Sequence, residues 1–93
     1  MGEEFVFNCV LIHEEYGYTA LCLDLDVASQ GETTAQAKEA LLEAVTLYLD
    51  TAVESNLPWL RPVPLAEDPR LTCPERVVGE FPLRVRVAIH AYA

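Results

Sequence analysis

Ninety-three residues leave room for one hydrophobic core and no second independently folding unit. Hydrophobic side chains make up 52% of the chain, which excludes disorder in spite of a formal charge of -9. Fifteen acidic against six basic residues would repel phosphate backbones and attract basic proteins, so direct nucleic-acid binding is disfavoured. No run approaches the roughly twenty apolar residues of a membrane helix, and Met-Gly-Glu-Glu lacks the basic start of a signal peptide, so a cytoplasmic location is expected. Cys9, Cys22 and Cys73 are odd in number and show no CxxC spacing, which suits reduced thiols. Together with His13 and His90 they lack ligand-pair spacing, so neither a metal nor another cofactor is expected.

The run from Phe5 to Ile12 predicts a buried strand, and His13-Glu14-Glu15-Tyr16-Gly17 predicts a hairpin into a second strand over about 18–23. With a loop of Glu14 to Gly17, His13 opposes Tyr18 and Cys9 opposes Cys22. Two carboxylates, Asp24 and Asp26, interrupt the apolar pattern before a short third strand over 27–31. Thr33 followed by Gln36 is a capping-box spacing and opens a helix over about 34–55. Its core face is Ala37, Leu41, Ala44, Val45, Tyr48, Ala52 and Val53. Such a helix is about 33 Å long and covers one face of a sheet.

All six prolines fall between Pro58 and Pro82, so residues 57–82 are expected to form an irregular segment, either a binding loop or a surface excursion. Trp59 at its start is expected to cap the edge of the core, with partner recognition as the alternative. From Leu83 to Tyr92 strict alternation predicts a last strand, with Leu83, Val85, Val87, Ile89 and Ala91 on the buried side. Arg84, Arg86, His90 and Tyr92 occupy its other side, in solvent or at an interface.

The Gly17-Tyr18-Thr19-Ala20 hairpin exit, Asp24-Leu25, the turn Ser29-Gln30-Gly31-Glu32-Thr33 and the helix texture from Ala37 to Tyr48-Leu49 occur in one order. Together, over about 5–58, they resemble the HicB-like family of antitoxins. The resemblance implies an α+β fold of order β-β-β-α-β, a mainly antiparallel, partial ribonuclease H-like sheet with one long helix on one face and the last strand beside the first. It further implies a non-catalytic module that neutralises a small, basic, RNA-cleaving toxin of the HicA kind, usually as an oligomer. Two departures stand out: Asp26-Val27-Ala28 where the family carries Pro-Gly-Cys, and no room before Ala93 for an appended DNA-binding domain.

Catalysis is not expected. The predicted first strand, Phe5 to Ile12, and the chain from Phe81 onward contain no Asp or Glu for the two-metal carboxylate cluster of ribonuclease H. The candidate partner or oligomer interface is Arg84, Arg86, His90, Tyr92 and Trp59, with a dimer or tetramer expected from an uncovered sheet face and an open strand edge. The alternative function is an oligomeric scaffold or regulatory domain that holds a small anionic ligand on Arg84 and Arg86 at a subunit interface.

Overall fold

Residues 2–55 and 58–88 are described by the computed structural model of the chain. They form β1 (Gly2–Glu14), β2 (Gly17–Cys22), β3 (Val27–Gly31), the long helix α1 (Thr34–Glu54), a one-turn helix α2 (Pro69–Thr72) and β4 (Val77–Ala88). The sheet is antiparallel in the order β3-β2-β1-β4, so the last strand lies beside the first and the α+β expectation holds. Cys9 faces Cys22 and His13 faces Tyr18, the register expected from the hairpin. Pairing continues to Glu14 and Gly17, however, so the loop shrinks to Glu15 and Tyr16.

The start of α1 follows its capping chemistry. Gln36 donates its backbone N–H to Thr33 Oγ1 at 3.1 Å, and Gln36 Oε1 accepts the Glu32 N–H at 3.0 Å. The helix buries Ala37, Leu41, Val45, Leu49 and Ala52. Ala44, Tyr48 and Val53, expected in the core, are only half-buried at its margin, and Leu49 takes a central place. This face meets Phe7, Cys9, Leu11, Ala20, Cys22, Leu83 and Val85 on the sheet. Leu41 and Leu49 are fully enclosed there, each stabilising the fold by about 2 kcal/mol through burial. Trp59 caps one margin as expected, its ring edge-on to Phe5 at 5.1 Å between centroids, while its carbonyl accepts the Tyr48 hydroxyl at 2.8 Å.

Two expectations about the proline-rich stretch need correction. First, the last strand begins at Val77 rather than near Leu83 and runs through Pro82. An edge strand tolerates this proline because the missing donor faces outward. Asn8, opposite Pro82, turns its carbonyl to Leu23 N–H and its N–H to Asp24 Oδ2, away from β4, so the Pro82 nitrogen points to the open edge. Val78 is the extra residue of a bulge where the register shifts between Leu11 and Ile12.

Second, the segment before β4 is a strap over the face of the sheet that α1 leaves open. Arg61 and Val63 donate backbone N–H groups to the carbonyls of Asp24 and Leu23, and Val63 and Val77 then close over Val10, Ile12, Leu21 and Leu23. Helical turns at 65–67, 69–72 and 74–76 complete the strap. The sheet is therefore covered on one side by α1 and on half of the other by the strap. The remainder, which no described residue covers, carries Glu4, Val6, Asn8, Pro82, Arg84 and Arg86.

Asp68 fastens the strap. It is 5% exposed, caps α2 by accepting the Arg70 N–H at 2.9 Å, and takes the Arg70 guanidinium at 2.8 Å, which reaches on to Glu80 of β4 at 3.1 Å. The Arg70 hydrogen bonds hold the Asp68 carboxyl below its usual range. A carboxyl depressed in the folded state stabilises fully above its unfolded value, about 3.9, and that stability is lost as pH falls through the lower folded value. Asp68→Asn keeps the cap and removes the charge. It should cost about 1 kcal/mol at neutral pH, since Arg70 is partly solvated, and flatten the loss of stability below about pH 4 in denaturation curves.

Candidate functional site

Of the five residues singled out from sequence, the three that are described do not share one surface. Arg84 and Arg86 stand on β4 in the uncovered part of the sheet, 68% and 85% exposed. Both reach Glu4 on β1, Arg84 Nη1 at 3.3 Å and Arg86 Nε at 3.5 Å, so one carboxylate already sits between the two guanidinium groups. Trp59 lies on the opposite, helix-covered face, packed on Phe5 and Phe7. His90 and Tyr92 lie outside the described residues.

Longer strands also bring in carboxylates that the predicted strand bounds had left out. Glu4 and Glu14 belong to β1 and Glu80 to β4. Each meets an arginine: Glu4 with Arg84 and Arg86, Glu14 with Arg76, and Glu80 with Arg70. Asp24 instead accepts the Asn8 N–H at 2.8 Å, while Asp26 sits exposed in the β2–β3 turn at φ 54°, a left-handed conformation that Asp tolerates, with its N–H on the Cys22 carbonyl. Among the described residues no three His, Cys, Asp or Glu side chains gather into a metal-binding group. Cys9 and Cys22 are free thiols buried beneath α1. The Cys9 thiol, hydrogen-bonded to Cys22 and stripped of solvent, is pushed far above the usual thiol range and is a poor nucleophile.

What sequence reasoning passed over is the solvent side of α1. Glu39, Glu43, Asp50 and Glu54 are all exposed. Their spacings of four, seven and four place them within about 60° of one another around a helix of 3.6 residues per turn, a single acidic stripe along its length. None of the ion pairs among the described residues involves them. Glu39 with Glu43 and Asp50 with Glu54 are like charges at i,i+4, each pair costing about 0.3 kcal/mol, and Glu54 stands at the wrong end of the helix dipole. Beyond the helix start, Glu15 and Glu32 line an open hollow of about 450 Å³ together with Tyr16, Tyr18 and Gln30. By contrast, Arg70, Arg76, Arg84 and Arg86, four of the six cations, lie with the strap and the uncovered part of the sheet. The arginines of the opposite side are thus matched by carboxylates, whereas the four carboxylates of the α1 stripe make no ion pair among the described residues.

An antiparallel sheet of this order with one long helix on one face is a fold found in toxin-antitoxin complexes, in line with the HicB-like fold that the hairpin, turn and helix residues resemble. One such structure is a toxin-antitoxin complex from Streptococcus pneumoniae, matched at TM-score 0.61 and 16% identity over 92% of this chain and 70% of that one. Another is the HicA3 and HicB3 toxin-antitoxin complex, at TM-score 0.56 and 17% identity over 94% of this chain and all of that one. At these identities the likeness is one of fold. No family profile and no curated protein sequence matches the chain. No described helix is long and apolar enough to cross a membrane.

Proposed function

We propose that the protein is a non-catalytic, antitoxin-type binding module that captures and neutralises a small, basic, RNA-cleaving protein. The observation that carries this reading is the acidic stripe on α1, a set of like charges kept at a cost to the helix, on a fold shared with chains of toxin-antitoxin complexes. A basic partner laid along Glu39, Glu43, Asp50 and Glu54 relieves that repulsion and is steered to it by the net charge of -9. Tagged protein purified from its own cells should bring down a small basic protein encoded beside it, and the complex should cleave RNA far more slowly than the partner alone. Unimpeded cleavage by the bound partner would sink the proposal.

The scaffold alternative, with an anionic ligand on Arg84 and Arg86, is less favoured because Glu4 already occupies both guanidinium groups. Such a ligand competes with that carboxylate for both groups.

A further inference from the structure

The outer edge of β4 is twelve residues long, and it borders the part of the sheet that the strap leaves bare. Its chemistry can be read from the register. Asn8 directs its backbone away from β4, so the alternation of the antiparallel ladder turns the backbone groups of Pro82, Arg84, Arg86 and Glu80 outward and those of Phe81, Leu83 and Val85 toward β1. The edge therefore offers donors at Glu80, Arg84 and Arg86 and an acceptor without a donor at Pro82. An edge of this length invites another strand unless something blocks it.

We propose that this edge pairs antiparallel with the same edge of a second copy, about a two-fold axis at Leu83. A symmetric dimer sets each residue against its counterpart across the axis, so charge and proline select the register. An axis at Glu80, Arg84 or Arg86 faces that residue with itself, an axis at Val85 faces Arg84 with Arg86, and an axis at Phe81 sets Glu80 against Pro82 and Arg84 against Val78 with no ion pair. An axis at Pro82 opposes two residues that both lack a donor. With the axis at Leu83, Glu80 faces Arg86 of the second copy with reciprocal backbone hydrogen bonds, and the Arg84 N–H meets the Pro82 carbonyl. On the helix side Leu83 meets its own counterpart and Phe81 meets Val85, which joins the two cores.

Charge complementarity favours a second copy in this register. Two chains of charge -9 repel, but β4 carries two of the six basic residues against the single carboxylate of Glu80. Across the joint, Glu4, Arg86, then Glu80 and Arg70 of the second copy form a row of alternating sign, extending ion pairs that each copy already makes. A network of this kind contributes more than isolated surface pairs.

Sedimentation equilibrium tests the assignment. The unaltered protein should be dimeric at micromolar concentration, and Glu80→Arg or Arg86→Glu should each weaken the dimer tenfold or more. The double exchange, Glu80→Arg with Arg86→Glu, should restore it, because the pair then faces across the axis with reversed sign. Arg84→Pro, which removes an outward donor and leaves the ladder to β1 intact, should also weaken the dimer while the thermal melt of the monomer stays cooperative. A monomer at all concentrations, a dimer indifferent to these changes, or a double exchange without rescue would overturn it. The inference stands apart from the toxin-binding proposal: a dimer that captures no basic protein would keep the one and remove the other.

Discussion

Gly31→Ala is expected to destabilise the protein by about 3 kcal/mol, seen as a lower denaturation midpoint with an unchanged slope. Gly31 ends β3, where its pairing with Tyr18 places it directly under the first turn of α1. A Cβ there would lie 2.5 Å from the Ala37 nitrogen and 2.7 Å from the Gln36 carbonyl carbon and Cβ. None of these atoms is the movable end of a long side chain. The helix start must lift from the sheet, loosening the packing of Ala37 and Leu41, both fully buried. Gly79→Ala is the matched control, since a Cβ at that position meets nothing within 4 Å, and it should change stability by less than about 0.5 kcal/mol. Equal midpoints for the two variants would refute the close approach of helix to sheet.

The second large effect concerns binding. Reversing Glu43 alone to lysine, which turns its i,i+4 repulsion with Glu39 into an attraction, should strengthen the free protein slightly and weaken its complex with a basic partner by tenfold or more, about 1.4 kcal/mol. The two directions separate recognition from fold. If these carboxylates served only to solvate the helix, reversal would leave any complex unchanged, and thermal melts of the free protein would report the relieved i,i+4 repulsion alone. Titration calorimetry beside the melts reads both. A variant that lost stability and affinity together would point instead to structural damage.

The elements that follow from local chemistry were legible in the sequence. The hairpin residues set the pairing of Cys9 with Cys22, Thr33 and Gln36 marked the start of α1, and the alternation of Leu83, Arg84, Val85 and Arg86 showed which side of the last strand is buried. The start of β4 was not legible. Pro82 breaks a central strand but not an edge one, and only the sheet order decides which it is. The strap over the second face left a trace that was passed over. In Cys9-Val10-Leu11-Ile12 successive side chains point to opposite faces and all are apolar, so both faces had to be covered.

Asp68-Pro69-Arg70 likewise carried its own signal, a capping residue before a proline at the first helical position. The candidate site was less accessible still. Exposed positions on a strand gave Arg84 and Arg86, but their neutralisation by Glu4 depends on a partner eighty residues away in the chain. The acidic stripe needed only the spacing of Glu39, Glu43, Asp50 and Glu54 to be laid on a helical turn.

The salt dependence of what the tagged protein brings down from its own cells tests the central claim most directly. The account predicts a small basic protein recovered at low salt and released as salt screens the acidic helix face, with the binding constant falling steadily as ionic strength rises. Recovery of self-associated protein alone at every salt concentration, or of a partner whose hold is indifferent to salt, would contradict it.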